Sequence, residues 1–368
     1  MLRPGARAAG AVLLAALAAL DLAWIVRDFD KATAVADAWW MWSGLIFRAQ
    51  DGIWASSFVE PTLLVLYTVC AVTAAVSSAA GSLFVSTGVL TILLRVPTLW
   101  NLNASWVQSG VSDGLRTKVL VSAIAMLVVG AALIVLGAVG RRPVHDGTEA
   151  ADGTDGAGGA DGASAADGAG AADGGADSAE LGDHDGDFAR PRGHAPAHST
   201  RDEPPARPTR IGGAVACALL AAAAAALAAW EIHSATEQGW ALYSNHFTGD
   251  RALATLLAVP ESWYGWALTL LALWAAAAAL ARVPHSRPLG MTVSGPLLGL
   301  GLFHLSFAAK SGLLGDLAHL STRDQLWICT ALLEVVAALG VLSALAPRNA
   351  EADLREAQSG TIRAFSSA

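Results

Sequence analysis

Hydrophobic residues gather along this chain into eight long runs, set in two groups of four, with a polar Gly/Ala/Asp-rich stretch at about residues 141–210 between the groups. A helix crossing a hydrocarbon layer about 30 Å thick needs roughly twenty apolar residues. Runs of that length lie at residues 8–26, 60–79, 82–100 and 119–140, and again at 211–230, 262–282, 289–309 and 325–346. The pattern predicts an all-α, polytopic integral membrane protein. Residues 1–140 form a first four-helix half, 141–210 a linker, 211–347 a second four-helix half and 348–368 a cytoplasmic tail.

The two groups share a layout. Each opens with an Ala-rich helix that ends in Trp (Trp24, Trp230), followed by a long loop rich in aromatic side chains. A helix introduced by adjacent Glu and Pro comes next (Glu60 and Pro61; Pro260 and Glu261), then a third helix containing glycines, then a fourth span. Four is an even number, so both groups enter the membrane in the same direction, and an internal repeat would have its axis along the membrane normal. Likeness of Ala- and Leu-rich helices through composition alone is the other explanation. Gly81, Gly88 and Pro97 interrupt one third helix, and Gly290, Gly295, Pro296, Gly299 and Gly301 the other. Helices broken at matching places in two repeats point to a transport site, whereas the GxxxG spacing of Gly295 and Gly299 also suits close helix approach.

Composition agrees with apolar surroundings: 54% of residues are hydrophobic, 15% are charged and the mean hydropathy is +0.48. The formal charge of −8 belongs mostly to the linker, where residues 146–187 hold twelve Asp or Glu and no Lys or Arg. A segment so poor in apolar side chains cannot offset its chain entropy and is expected to be disordered. His184, His194 and His198, scattered there among Pro and Gly, are read as solvated rather than as metal ligands. Placing both termini in the cytoplasm puts 14 of the 23 Lys and Arg on that side and nine on the other. Twelve of the thirteen tryptophans then fall in outer loops or at outer helix ends, with Trp274 alone in mid-span. Arg3 and Arg7 ahead of the first run, and Ala34-Val35-Ala36 after it, also fit a cleaved signal peptide, but the length of the run favours an uncleaved first helix. Heavy use of Ala, Gly, Asp and Arg suits a GC-rich genome, and the expected location is a bacterial cytoplasmic (plasma) membrane.

Ionisable residues inside the spans carry sharper information, because a charge at mid-bilayer costs about 2.5–3.5 kcal/mol on insertion scales and turns toward protein. Asp21 and Arg95 lie at equal depth, about 8–9 Å from the outer ends of the first and third helices at 1.5 Å per residue. They can form an ion pair that fastens two helices, or part of a substrate site. Glu334 lies about 14 Å deep in the last span, with Thr330 and Ala338 one turn to either side and His304 of the preceding span within reach. A carboxylate facing a histidine suits a proton relay, a substrate site or a plain interhelical hydrogen bond. In the first outer loop Val35, Trp39, Trp42 and Ile46 recur at helical spacing while Asp37 and Arg48 fall elsewhere, which predicts an interfacial helix in the membrane surface. Leu253, Leu256 and Leu257, between the cap candidate Asp250 and Pro260, predict its counterpart. Such helices serve as a lid, as a docking surface or simply as packing on the bundle.

Other chemistry finds no signature. Cys70, Cys217 and Cys329 all sit inside apolar runs, without a disulfide framework or a CxxC site. There is no P-loop, HExxH or GxSxG, and no pair of intramembrane histidines to hold zinc or haem, so no cofactor is expected. Basic residues form no dense patch, so no nucleic-acid partner is expected, while the lipid bilayer is. The reading is a non-enzymatic membrane protein. It is either a scaffold or accessory subunit of a membrane protein partner, or a permease for a small-molecule substrate bound between the halves. A membrane-embedded enzyme acting on a lipid-like substrate is the alternative. A permease requires a polar cavity reaching Arg95, His304 or Glu334 from one side. A scaffold requires those residues paired in a closed core, and an enzyme requires a nucleophile and base in one pocket.

Overall fold

The computed structural model describes residues 3–47, 49, 53–76, 80–102, 111–140, 207–249 and 255–346. Nearly all of the linker, the tail and the predicted positions Arg48, Asp250 and Leu253 lie outside the described residues. Ten α-helices occur among the described residues: α1 (Pro4–Lys31), α2 (Val35–Trp42), α3 (Val59–Val76), α4 (Ala80–Asn101), α5 (Asp113–Val139), α6 (Arg210–Gln238), α7 (Trp240–Thr248), α8 (Glu261–Leu280), α9 (Ser286–Lys310) and α10 (Thr322–Ala344). All except the short α2 and α7 are long and apolar enough to cross a membrane, and these eight coincide with the eight predicted runs.

The outward surfaces of these helices are apolar as well as the inward ones. Val121, Ile124, Val128 and Val135 of α5 and Val65, Val69, Val72 and Val76 of α3 are all exposed. A helix that is hydrophobic all round needs a hydrocarbon solvent on its outer side, so the chain has the build of a multi-pass integral membrane protein.

Helix α1 packs along α3 and α4 along α5; α6 packs along α8 and α10, and α9 along α10. Helix α9 also lies against α3 and α4 and joins the two groups. On one face, the Arg3 N–H donates to the Gly140 carbonyl at 3.0 Å and the Arg7 guanidinium reaches the carbonyl of Ala75 at 3.3 Å, so the start of α1 meets the ends of α3 and α5. In the other group the Arg282 guanidinium donates to the Pro208 carbonyl at 3.0 Å, and a Cβ on Gly212 would stand 2.5 Å from the Ala344 carbonyl oxygen. The start of α6 thereby meets the ends of α8 and α10.

The glycines of α4 and α9 do not break those helices, which run continuously through Pro97 and Pro296. They permit contact. A Cβ on Gly88 would lie 2.5 Å from the Gly130 carbonyl oxygen of α5, and one on Gly301 would lie 2.7 Å from the Ala331 carbonyl oxygen of α10. A Cβ on Gly299 would collide with the Thr62 side chain of α3. Small residues let backbones approach where apolar packing against lipid offers no net gain.

Two segments between helices are extended and buried: the one before α3 (Trp54, Ala55, Ser56, Ser57) and the one before α8 (Thr255, Leu256, Leu257, Val259). They run parallel, with the Leu256 N–H donating to the Trp54 carbonyl (3.2 Å) and the Leu257 N–H to that of Ala55 (2.9 Å). Leu256 and Leu257 are thus not on a helix. The short helix of that loop is α7, ended by Gly249 at a φ of 82°. The predicted interfacial helix over 35–46 is also shorter, because Gly44 adopts a φ of 99° and turns the chain out just past Trp42. Its inward face is Ala38, Met41 and Trp42, whereas Ile46 lies beyond the helix and is 97% exposed.

Candidate functional site

The four ionisable candidates divide into two pairs with different surroundings. Arg95 of α4 donates through Nη2 to Asp21 of α1 (3.0 Å) and through Nη1 to Glu60 at the start of α3 (2.6 Å), with all three side chains fully buried. Its Nη1 also reaches the Leu257 carbonyl at 3.4 Å. The second oxygen of Glu60 accepts from the Ser57 N–H (2.5 Å) and hydroxyl (2.9 Å). Arg95 sits six residues before the end of α4, so this cluster lies about 9 Å in from that end at 1.5 Å per residue. One guanidinium holds α1, the start of α3 and the segment before α8, while Glu60 carries the link on to Ser57 of the other segment.

Asp28, one further heptad along α1 from Asp21 and on the same buried face, does related work. It accepts from the Ala55 N–H (3.1 Å), the Ser56 N–H (2.6 Å), the Ser56 hydroxyl (2.5 Å) and Arg27 (2.7 Å). Non-helical backbone this deep needs internal partners for its N–H and C=O groups, and Asp28, Glu60, Arg95 and Asn101 supply them, the last by donating to the Ala258 carbonyl at 3.3 Å.

His304 of α9 and Glu334 of α10 line a cavity of about 630 Å³. Residues of α2, α6, α8, α9 and α10 contribute to its wall, as do Ser57 and Thr255 of the extended segments; the exposed Gly44, Glu261 and Arg323 mark its mouth. Glu334 lies twelve residues into α10, about 18 Å along the helix, and is 1% exposed. Its Oε2 stands 3.7 Å from His304 Nδ1, beyond hydrogen-bond reach, and has no hydrogen-bond partner among the described residues. The Trp327 ring lies 4.9 Å from that of His304, centroid to centroid. Trp42, Phe58, Trp230, Phe303, Phe307 and Trp327 make the wall strongly aromatic. Trp39 packs on Phe303 from behind at 4.9 Å, centroid to centroid.

Glu231 of α6 also lines this cavity and a smaller neighbouring one of about 300 Å³. Gly265 leaves the space its carboxylate occupies, since a Cβ there would collide with Oε1. Oε2 accepts from the Tyr243 hydroxyl at 3.0 Å, which in turn accepts from the Trp266 indole at 2.6 Å. Burial raises the ionisation of the Tyr243 phenol, on α7 outside the spans, above its ordinary range and keeps it a donor. Two lining hydroxyls are already engaged: Ser57 donates to Glu60, and Thr330 accepts from the Trp230 indole (2.9 Å) and donates to the Leu326 carbonyl (2.9 Å).

Sequence reasoning singled out Asp21, Arg95, His304 and Glu334 but passed over Glu60, Asp28 and Glu231. The seven-residue spacing of Asp21 and Asp28 was available as a signal for one helix face, and a buried guanidinium with five donors called for a second acceptor. Comparison with models of known protein families, with curated protein sequences and with solved structures found no match, so the site stands on its own chemistry.

Proposed function

We propose that this chain is a small-molecule permease whose substrate enters the aromatic cavity from the side bearing α2 and binds against Glu334 and His304. The observation that carries this is the cavity itself: about 630 Å³, within the range of ligand sites, with a buried carboxylate oxygen that accepts no hydrogen bond from the described residues. The Arg95 cluster is the closed, paired core a scaffold would have, and it serves here as the rigid frame beside the site.

The permease reading includes two four-helix repeats related by a pseudo-twofold axis along the membrane normal. Long, short, then three long helices recur in the same order, α1–α5 and α6–α10. Residues near such an axis should meet their own counterparts. Ser86 and Thr292, each six residues past the first residue of α4 or α9, share a hydrogen bond of 2.8 Å. Trp54 and Leu256, each five residues before the first residue of α3 or α8, are joined through their backbones. Parallel pairing of those segments is what a twofold axis running along them produces. In this scheme the first repeat fills its interior with the Asp21–Glu60–Arg95 cluster, and the second leaves the corresponding region open as the cavity. The excess of Lys and Arg on the opposite face supports cytoplasmic termini, which makes the mouth face outward from a bacterial plasma membrane.

Vesicles containing equal amounts of wild type or Glu334→Gln test the proposal. When both are exposed to a mixed pool of small solutes, at least one should accumulate only with wild type by mass spectrometry. Identical profiles would sink the permease reading.

A further inference from the structure

We infer that the cavity selects an organic cation carrying an aromatic or similarly apolar body. This rests on the permease reading and adds the charge and shape of the substrate to it. Among the described residues four carboxylates line the space, Glu231, Glu261, Asp324 and Glu334. Of the two basic residues among the described lining, Arg323 is at the mouth and already 3.3 Å from Glu237 Oε2, and His304 is the other.

Glu334 is the deciding group. It is 1% exposed, its Oε2 has no donor among the described residues, and His304 Nδ1 stops at 3.7 Å. Buried polar atoms in folded proteins are almost always paired, and an ammonium or similar cation entering the cavity would provide the missing partner. A neutral donor would pair the oxygen without offsetting its charge, and an anion would face repulsion from Glu334 and Glu231 together. The walls agree with the same choice. The faces of aromatic rings attract cations through their quadrupoles, most strongly for Trp and when water is excluded, and Trp42, Trp230, Phe303 and Trp327 surround the approach to Glu334. Those rings also accept the apolar remainder of such a ligand, which a small inorganic cation would lack.

The full chain in lipid nanodiscs allows a direct test by calorimetric titration with three probes that share one benzyl group: benzylammonium, benzyl sulfonate and benzyl alcohol. The cation should bind at least tenfold more tightly than the other two, and Glu334→Gln should weaken it at least tenfold. Asp30→Asn, on an exposed carboxylate away from the cavity, should leave it unchanged. A second measurement does not need the Glu334 variant to fold: in a chain whose three cysteines are replaced by alanine, Thr330→Cys should be labelled by a water-soluble thiol reagent, and benzylammonium should slow labelling at least tenfold. Equal or tighter binding of the sulfonate or alcohol, or cation binding indifferent to Glu334→Gln, would overturn the cation inference while leaving a ligand cavity and the permease reading in place. No binding by any probe would also overturn it. If Thr330→Cys then proved closed to the reagent as well, the permease reading would fall too.

Discussion

The indole nitrogen of Trp263 donates to the main-chain carbonyl of Leu93 at 2.8 Å. That carbonyl lies four residues before Pro97, which has no N–H to offer it. A side chain of α8 thus completes the hydrogen bonding of α4 and joins the two groups of helices. Trp263→Phe should leave the carbonyl unpaired and lower stability by about 1–3 kcal/mol. Adding Pro97→Ala restores an N–H to Leu93, so the double variant should lose less than the sum of the singles, measured as a double-mutant cycle of unfolding in detergent.

Arg95 holds Asp21 and Glu60, and all three side chains are fully buried. Arg95→Gln leaves two buried carboxylates without a cation and should destabilise by about 3–5 kcal/mol. Replacing all three together by Leu, Gln and Met should cost less than Arg95→Gln alone, because no uncompensated charge remains. Thermal unfolding of the purified protein compares them.

Gly299 meets Thr62 across the α9–α3 contact with no room for a Cβ. Gly299→Val should cost about 1–3 kcal/mol through overpacking. The loss should shrink when Thr62→Gly is added, since the colliding side chain is then gone, and grow when Thr62 is enlarged to Leu. Denaturant midpoints of the series read this out.

Asp28 satisfies the amides of both Ala55 and Ser56. Asp28→Ala orphans two buried N–H groups, each worth about 1–3 kcal/mol. The extended segment before α3 should then exchange its amide hydrogens faster than α3 itself, and hydrogen–deuterium exchange at Ala55 and Ser56 measures the difference. Equal exchange in wild type and variant would remove Asp28 from this role.

Element positions were readable because length and hydropathy are local: each of the eight apolar runs is long enough to span and each became one helix. The loops were not readable in the same way. Leu256 and Leu257 follow a helical stripe in isolation, yet their backbones pair with Trp54 and Ala55, two hundred positions earlier in the chain. The Val35–Ile46 stripe had the right spacing, but Gly44 ended the helix before Ile46 could join it. The depth argument placed Asp21 near Arg95 and His304 near Glu334, since rise per residue is fixed, but it could not see Glu60 completing the first pair.

What linear order alone dictates is therefore the count, place and lipid-ready surface of the spans, because burying backbone polar groups in hydrocarbon forces helices wherever apolar runs are long enough. Which polar side chains close on one another and which remain facing a void was decided by packing. Arg95 finds two carboxylates and the Leu257 carbonyl around it, whereas Glu334, 1% exposed, stands 3.7 Å from His304 beside an aromatic cavity. The difference lies in contacts between helices far apart in the chain, and no local pattern encodes it.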